Sequence, residues 1–269
     1  MTINRTEPYG SFMRRAVAAL SNVTWDLRAV SLIFLAALTV GASAGSARAE
    51  PVRIVGLGDS LMAGYELGPG EGFVPVLGEK LSELGYEVEM IEAGVSGDTS
   101  TGGLARLEWS VPAEADIVIV ELGGNDALRG IEPSITEANI DAIVDALRVR
   151  DQRVVLAGML APPNMGADYE AAFNGLYPRI AEARNVPLYP FFLDGVITDA
   201  SLMLPDGIHP TAEGVEVMAT RFLPTLLPVI DAVLDERGVA APAGARDLVP
   251  APNTTPPVDP AVPTEAEPA

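Results

Sequence analysis

Apolar residues along the chain fall into two kinds of run, and their alternation sets the architecture. Short runs rich in apolar residues recur at Val52, Ile54, Val55 and Leu57, at Tyr86 to Ile91, at Asp116 to Leu122, at Arg153 to Leu160 and at Val186 to Tyr189. The clearest is D-I-V-I-V-E-L, Asp116 to Leu122. The runs from Val52 to Leu57 and from Asp116 to Leu122 lack the polar alternation of a one-sided sheet, so they predict strands buried on both faces; the others predict further strands. Between them the period lengthens. Phe73 to Leu84 puts Val74, Leu77, Leu81 and Leu84 on one helical face and stops at Gly85. Leu104, Leu107 and Trp109 predict a short helix before Pro112, with Trp109 as a core residue. Ser134 to Arg148 opens on S-I-T-E, a capping-box pattern, and lines up Ile140, Ile143, Val144 and Leu147. Tyr169 to Arg184 predicts a helix that Pro178 should kink or divide. A closing helix, Ala212 to Leu234, is expected to be interrupted at Pro224 and Pro228. Strands alternating with helices predict an α/β fold with a parallel sheet and right-handed crossovers.

Both ends differ from this body. Residues 1–49 carry five arginines and two acids, then an uncharged run from Ala29 to Ala47 that ends in small residues and A-R-A. That is the layout of a secretory signal cleaved after Ala49. An uncleaved membrane anchor is the alternative, since the run reaches the length of a short span. The body, 50–236, has the length of one domain with a full core. Residues 237–269, mostly Ala, Pro, Val, Thr and acids, read as a disordered tail or spacer. Of 17 basic and 37 acidic residues, five and two precede Glu50, which leaves 12 against 35 and a net of −23 for the rest. Such a surface repels nucleic acid and anionic membranes. With no cysteine there is neither a disulfide nor a lipid attachment site, and the case for export rests on the signal alone.

Chemistry enters at the ends of the strands. Ile54 to Tyr65, I-V-G-L-G-D-S-L-M-A-G-Y, breaks a buried strand at Gly56 and Gly58 and then presents Asp59 and Ser60. A serine at the carboxyl end of such a strand is placed like a nucleophile. The plainer reading makes Asp59 or Ser60 a helix N-cap. The single histidine, His209, lies three residues after Asp206 in P-D-G-I-H-P. A hydrolytic serine needs a base to take its proton and a carboxylate to orient that base, and Ser60, His209 and Asp206 supply the three types. Asn125 follows two glycines at the end of another strand and could donate its amide to a developing oxyanion. Gly94, in A-G-V-S-G-D-T, could bring a backbone N–H close to a ligand.

Taken in order, Gly58-Asp59-Ser60-Leu61, Gly94 in A-G-V-S-G-D-T, Gly123-Gly124-Asn125-Asp126 and Asp206-Gly207-Ile208-His209 resemble the four blocks of the GDSL, or SGNH, hydrolases. The likeness runs from about Val52 to Ile230 and is nearest to the bacterial acyl-CoA thioesterase I, lysophospholipase and arylesterase branch. It implies a three-layer, flavodoxin-like fold whose blocks meet at the carboxyl edge of the sheet. It also implies a Ser60, Asp206, His209 triad acting on a small ester or thioester. The oxyanion hole it implies consists of the Ser60 N–H, the Gly94 N–H and the Asn125 amide, with Asp59 and Asp126 in support. No cofactor or metal is implied.

Other readings compete on the sequence. Ser96 is a second candidate nucleophile. Position 62 is methionine, so the G-x-S-x-G elbow of α/β-hydrolases is absent around Ser60. A metal hydrolase could draw on Asp59, Asp126, Asp206 and His209, but one histidine and no cysteine leave few zinc ligands. A lipid-binding module with a dead site and a carbohydrate O-acetyl esterase are the remaining alternatives. Leu160 to Ala167, L-A-P-P-N-M-G-A, is expected to cover an acyl chain. An exported monomer that meets membranes only through its signal or a transient lipid substrate is the expected context.

Overall fold

The computed structural model describes residues 50–248. The chain divides into two units, residues 1–49 and the remainder from Glu50. The expected signal therefore lies outside the described residues, as does the tail from 249 on.

The elements follow in the order β1 Val52–Gly58, α1 Ser60–Ala63, α2 Phe73–Glu83, β2 Val88–Gly94, α3 Ser100–Ser110, β3 Ile117–Glu121 and α4 Gly124–Leu128. They continue with α5 Pro133–Val149, β4 Arg153–Ala157, α6 Ala167–Asn174, α7 Leu176–Arg184, β5 Leu188–Tyr189 and α8 Ala212–Glu236. The five strands form one sheet in the order β2-β1-β3-β4-β5, with every pairing parallel. From β1 the chain steps one way to β2 and then crosses back to β3 and onward. Right-handed crossovers therefore put the connecting helices on opposite faces. Accordingly α2 packs with α8, while α3 packs with α5 and α5 with α7. This is the three-layer α/β arrangement expected. Its switch point, where such sheets open a crevice for ligands, lies between β1 and β3.

Burial follows the apolar periodicity. Ile54, Val55 and Leu57 of β1, Val118 to Val120 of β3 and Val155 to Ala157 of β4 are buried, as are Ile140, Ile143, Val144 and Leu147 of α5. Phe73, Phe192 and Phe222 meet edge to face, joining α2, the loop after β5 and α8.

Five expectations need correction. Trp109 is 75% exposed rather than in the core, since α3 buries Gly103, Arg106 and Leu107 instead. The capping box is absent: α5 starts at Pro133 with Glu132 as its N-cap and no side-chain cap bond. Proline at the first position fixes φ and has no N–H to cap, so the helix begins before Ser134. The helix expected over Tyr169 to Arg184 divides at Gly175, not Pro178. Pro178 sits in the first turn of α7, where an N–H has no intrahelical partner to lose.

The prolines of α8 do not interrupt it. Pro224 is half-buried and Pro228 exposed, whereas Phe222, Leu226 and Ile230 are completely buried, and that packing outweighs the lost backbone bonds. Finally, residues just past 236 belong to the body. Arg237 donates to the Glu50 carbonyl at 3.1 Å and pairs with Asp116 at 2.5 Å. Val239 and Ala241 pack on the core, and Ala245 is buried in a 3₁₀ turn, Ala245–Leu248.

Candidate active site

The carboxyl ends of β1 and β3 deliver the first two groups. After Gly58 the strand turns directly into α1, whose N-cap is Asp59 and whose first residue is Ser60. The plain capping reading thus holds for Asp59, which accepts the Leu61 N–H at 3.0 Å. Ser60, at the helix start, has a backbone N–H with no intrahelical acceptor. After β3, Gly123 takes φ +115, which an L side chain rarely adopts, and α4 then carries Asn125 and Asp126.

His209 arrives from the far side of the sheet. A tight loop precedes α8, closed by Leu204 N–H to the His209 carbonyl at 2.7 Å and Gly207 N–H to the Leu204 carbonyl at 2.9 Å. Within it Asp206 Oδ1 accepts the backbone N–H groups of Ile208 and His209 at 2.9 and 3.1 Å. Its Oδ2 lies 2.6 Å from His209 Nδ1, and His209 Nε2 lies 2.8 Å from Ser60 Oγ. Serine, imidazole and carboxylate therefore form one hydrogen-bonded line across 149 residues of sequence. Bonding to His209, with the two backbone N–H groups, draws the Asp206 carboxyl down to about 2. A carboxylate on Nδ1 selects the tautomer that leaves Nε2 free to accept the serine proton. Tyr65 lays its ring 4.4 Å from the imidazole, centroid to centroid, and covers one face of it.

Asn125 Nδ2 donates to Asp59 Oδ2 at 2.9 Å. This fixes which end of the amide faces the carboxylate and leaves the second N–H free to donate elsewhere. Behind it, the completely buried Asp126 accepts the Ser100 N–H at 2.8 Å, the Ser100 hydroxyl at 2.5 Å and the Thr136 hydroxyl at 3.1 Å. It thereby ties the Asn125 turn to α3 and α5. Asp59 and Asp126 are both spent on neighbours, and among the described residues no cluster of three or more His, Asp or Glu side chains is placed to hold a metal.

Gly94, expected to donate to the oxyanion, does not line the cavity that Ser60, Asn125 and His209 face. It is the last residue of β2, paired with Gly58, and a Cβ there would stand 2.4 Å from the Ala63 nitrogen. It is a packing glycine that lets α1 lie on the strand end. Gly97, three residues later at φ +80, lines the cavity instead. The second glycine of A-G-V-S-G-D-T was the available signal. Arg106, in L-A-R-L, is another residue the sequence reading passed over. Its buried guanidinium pairs with Asp98 at 2.7 Å and donates to the carbonyls of Ala93 and Gly58 at 2.7 and 2.8 Å. It clamps the ends of β1 and β2 beneath the serine turn.

Ser60, Asn125 and His209 face a cavity of about 740 Å³. Its apolar wall includes Leu128, Met159, Phe191, Leu193 and Ile197, and from the anticipated loop it takes Leu160, Ala161, Pro162 and Pro163. That loop is pinned by Ala161 N–H donating to Asn174 Oδ1 at 2.8 Å. Ser96 also lines the cavity, but both ring nitrogens of the single histidine are taken by Asp206 and Ser60.

The chain has counterparts among known proteins. The model of the GDSL-like lipase/acylhydrolase family matches residues 57–217. Esterase TesA of Pseudomonas aeruginosa is 38% identical over 175 residues, which cover 65% of this chain and 87% of the relative. Thioesterase 1/protease 1/lysophospholipase L1 of Escherichia coli K12 is 35% identical over 200 residues, covering 74% and 92%. Among solved structures, AlinE4, an SGNH-hydrolase family esterase, has a TM-score of 0.57 at 40% identity and covers 70% of this chain and 97% of that one. With the family model spanning more than half of its residues and relatives matched over most of their own length, the chain belongs to the GDSL-like lipase/acylhydrolase family.

Proposed function

We propose that this protein is a serine hydrolase of carboxylic esters and thioesters, with Ser60 as nucleophile. His209 Nε2 takes the Ser60 proton as Oγ attacks the carbonyl carbon, and Asp206 stabilises the imidazolium that forms. The same proton then passes to the leaving alcohol or thiol, which departs as the acyl group stays on Ser60. Water, activated by His209 in turn, releases the acid. The observation that carries this reading is the unbroken line Ser60 Oγ, His209, Asp206, at 2.8 and 2.6 Å.

The carbonyl oxygen, gaining charge, is received by the Ser60 N–H, the Gly97 N–H and the second Asn125 N–H. These donors strengthen with that charge and so favour the transition state over the substrate. The apolar wall receives the acyl chain, and the volume of about 740 Å³ suits medium chains as well as short ones. A panel of p-nitrophenyl esters from acetate to palmitate, with an acyl thioester and an acetylated sugar alongside, tests this. Turnover should peak beyond acetate and vanish in Ser60→Ala, whereas activity confined to acetylated sugars would replace this reading with an O-acetyl esterase. Export with cleavage after Ala49 and a monomeric body, with membranes met only through transient lipid substrate, complete the proposal. N-terminal sequencing and light scattering of the mature protein test them.

A further inference from the structure

One buried acid in the site has no part in the chemistry above. Glu121 is the last residue of β3, opposite Gly58 of β1, and its side chain is completely buried. Its Oε2 accepts the Asp59 N–H at 3.2 Å, while among the described residues its Oε1, equally buried, has no partner. Space for this carboxyl exists only because position 58 is glycine: a Cβ there would stand 2.5 Å from Oε2. Glycine 58 and Glu121 are therefore a matched pair beneath the nucleophile turn. The sequence continues from that contact to the oxyanion donor. Asp59, held through its N–H by Glu121, presents Oδ2 to Asn125 Nδ2 at 2.9 Å.

We propose that Glu121 is a positioning residue of this site, acting as an uncharged acid: it fixes Asp59 so that Asp59 aims the Asn125 amide at the oxyanion. The proposal rests on the hydrolytic reading of the site and extends it from Asn125 through Asp59 to Glu121.

Two features support the uncharged form. Burial, followed by the neighbouring Asp59 charge, pushes the Glu121 carboxyl well above the usual carboxylate range. Two adjacent buried carboxyls do not both ionise, because each raises the cost of charge on the other. Other charged and titratable groups leave this unopposed. Arg106, which donates to the Gly58 carbonyl at 2.8 Å, is already paired with Asp98. The buried Tyr177 phenol, which feels both Glu121 and Asp59, is itself raised by burial, and burial raises the Asp59 carboxyl too, opposed by its hydrogen bonds from Leu61 and Asn125. An uncharged Glu121 also keeps a second negative charge away from a carbonyl oxygen that is becoming negative.

The test joins kinetics to a measurement on the resting protein. On a p-nitrophenyl ester, Glu121→Ala should lower kcat by about 10- to 100-fold, the scale of a misplaced catalytic group, and should change KM by less than about threefold. Glu121→Gln, neutral and of the same shape, should restore kcat to within about threefold. In an Asn125→Ala background Glu121→Ala should cost less than about twofold, because the route it acts through is gone. Losses that multiply, a change confined to KM, or failure of glutamine to restore turnover would overturn the proposal. If Glu121→Ala does not fold, infrared difference spectroscopy decides it. Wild type minus Glu121→Gln at neutral pH should contain the C=O stretch of a protonated carboxyl, and a carboxylate band there would contradict the uncharged form. Turnover that survives Ser60→Ala would sink the hydrolytic reading alone and leave the infrared result standing.

Discussion

Removing the Asn125 side chain should damage rate and stability together, and the structure gives the size of each. Asn125→Ala deletes one of three proposed oxyanion donors. Loss of one such donor costs roughly 10²- to 10³-fold in kcat, or about 2.7–4 kcal/mol of transition-state stabilisation. It also removes the 2.9 Å hydrogen bond to Asp59 Oδ2, so that this buried carboxylate loses its amide donor while Oδ1 keeps the Leu61 N–H at 3.0 Å. An unsatisfied buried acceptor costs about 1–3 kcal/mol. For a body of this size each kcal/mol moves Tm by about 2–4 °C, so a fall of about 2–12 °C is expected. Steady-state kinetics on a p-nitrophenyl ester and thermal unfolding of the same sample measure both. KM should move far less than kcat. A rise in KM with kcat intact would make Asn125 a substrate-binding group and nothing more. An unchanged Tm with a full kcat loss would mean that the Asp59 bond contributes nothing and that Asn125 orients itself by other means.

Further predictions concern glycine, pH and the chain end. Gly94→Ala, whose Cβ would meet the Ala63 backbone at 2.4 and 2.8 Å, should cost about 1–3 kcal/mol in stability. Gly97→Ala meets only Arg129 Nη2 at 3.7 Å but must hold φ +80, so it should fold and show its defect mainly in kcat; the reverse pattern would restore Gly94 as the donor. Asp206 is held at about 2 in the folded chain, below its unfolded value of about 3.9. Its contribution to stability is therefore complete above about pH 4 and lost as pH falls through about 2. Asp206→Asn should accordingly differ from wild type in its unfolding midpoint above about pH 4 and converge with it at the acid extreme; a gap that persists there would refute the assignment. A chain ending at 236 loses the Arg237 contacts and the buried Ala245. It should melt about 4–8 °C below one ending at 248, for roughly 2 kcal/mol of lost packing and pairing, and equal Tm values would return the boundary to 236.

The features legible in the sequence were those with a local cause. An unbroken apolar strand followed by glycine and a polar pair marked the nucleophile turn, and the short Asp206-to-His209 loop marked acid and base, because each is built from neighbours in the chain. What escaped is set by tertiary packing. Gly94 and Gly97 stand in one heptapeptide and both suit a close approach; only the packing of Ala63 on the end of β2 separates them. Trp109 has the spacing of a core residue, yet α3 turns Arg106 inward because the carbonyls of Ala93 and Gly58 need a donor. Glu121 reads as an ordinary polar residue at a strand end, and its burial depends on a glycine 63 positions earlier in the chain. Pro224 and Pro228 argued for a break that the burial of Phe222, Leu226 and Ile230 overrides.

The central claim is that Ser60 is a nucleophile activated by His209, and active-site titration with a fluorophosphonate tests it most directly. The reagent forms a stable bond only with a serine whose proton is being removed by a neighbouring base. The account predicts one equivalent bound per chain, mapped by peptide mass to Ser60, and no detectable labelling in His209→Ala over the same interval. Labelling at Ser96, or full labelling of Ser60 in the absence of the His209 ring, would contradict it.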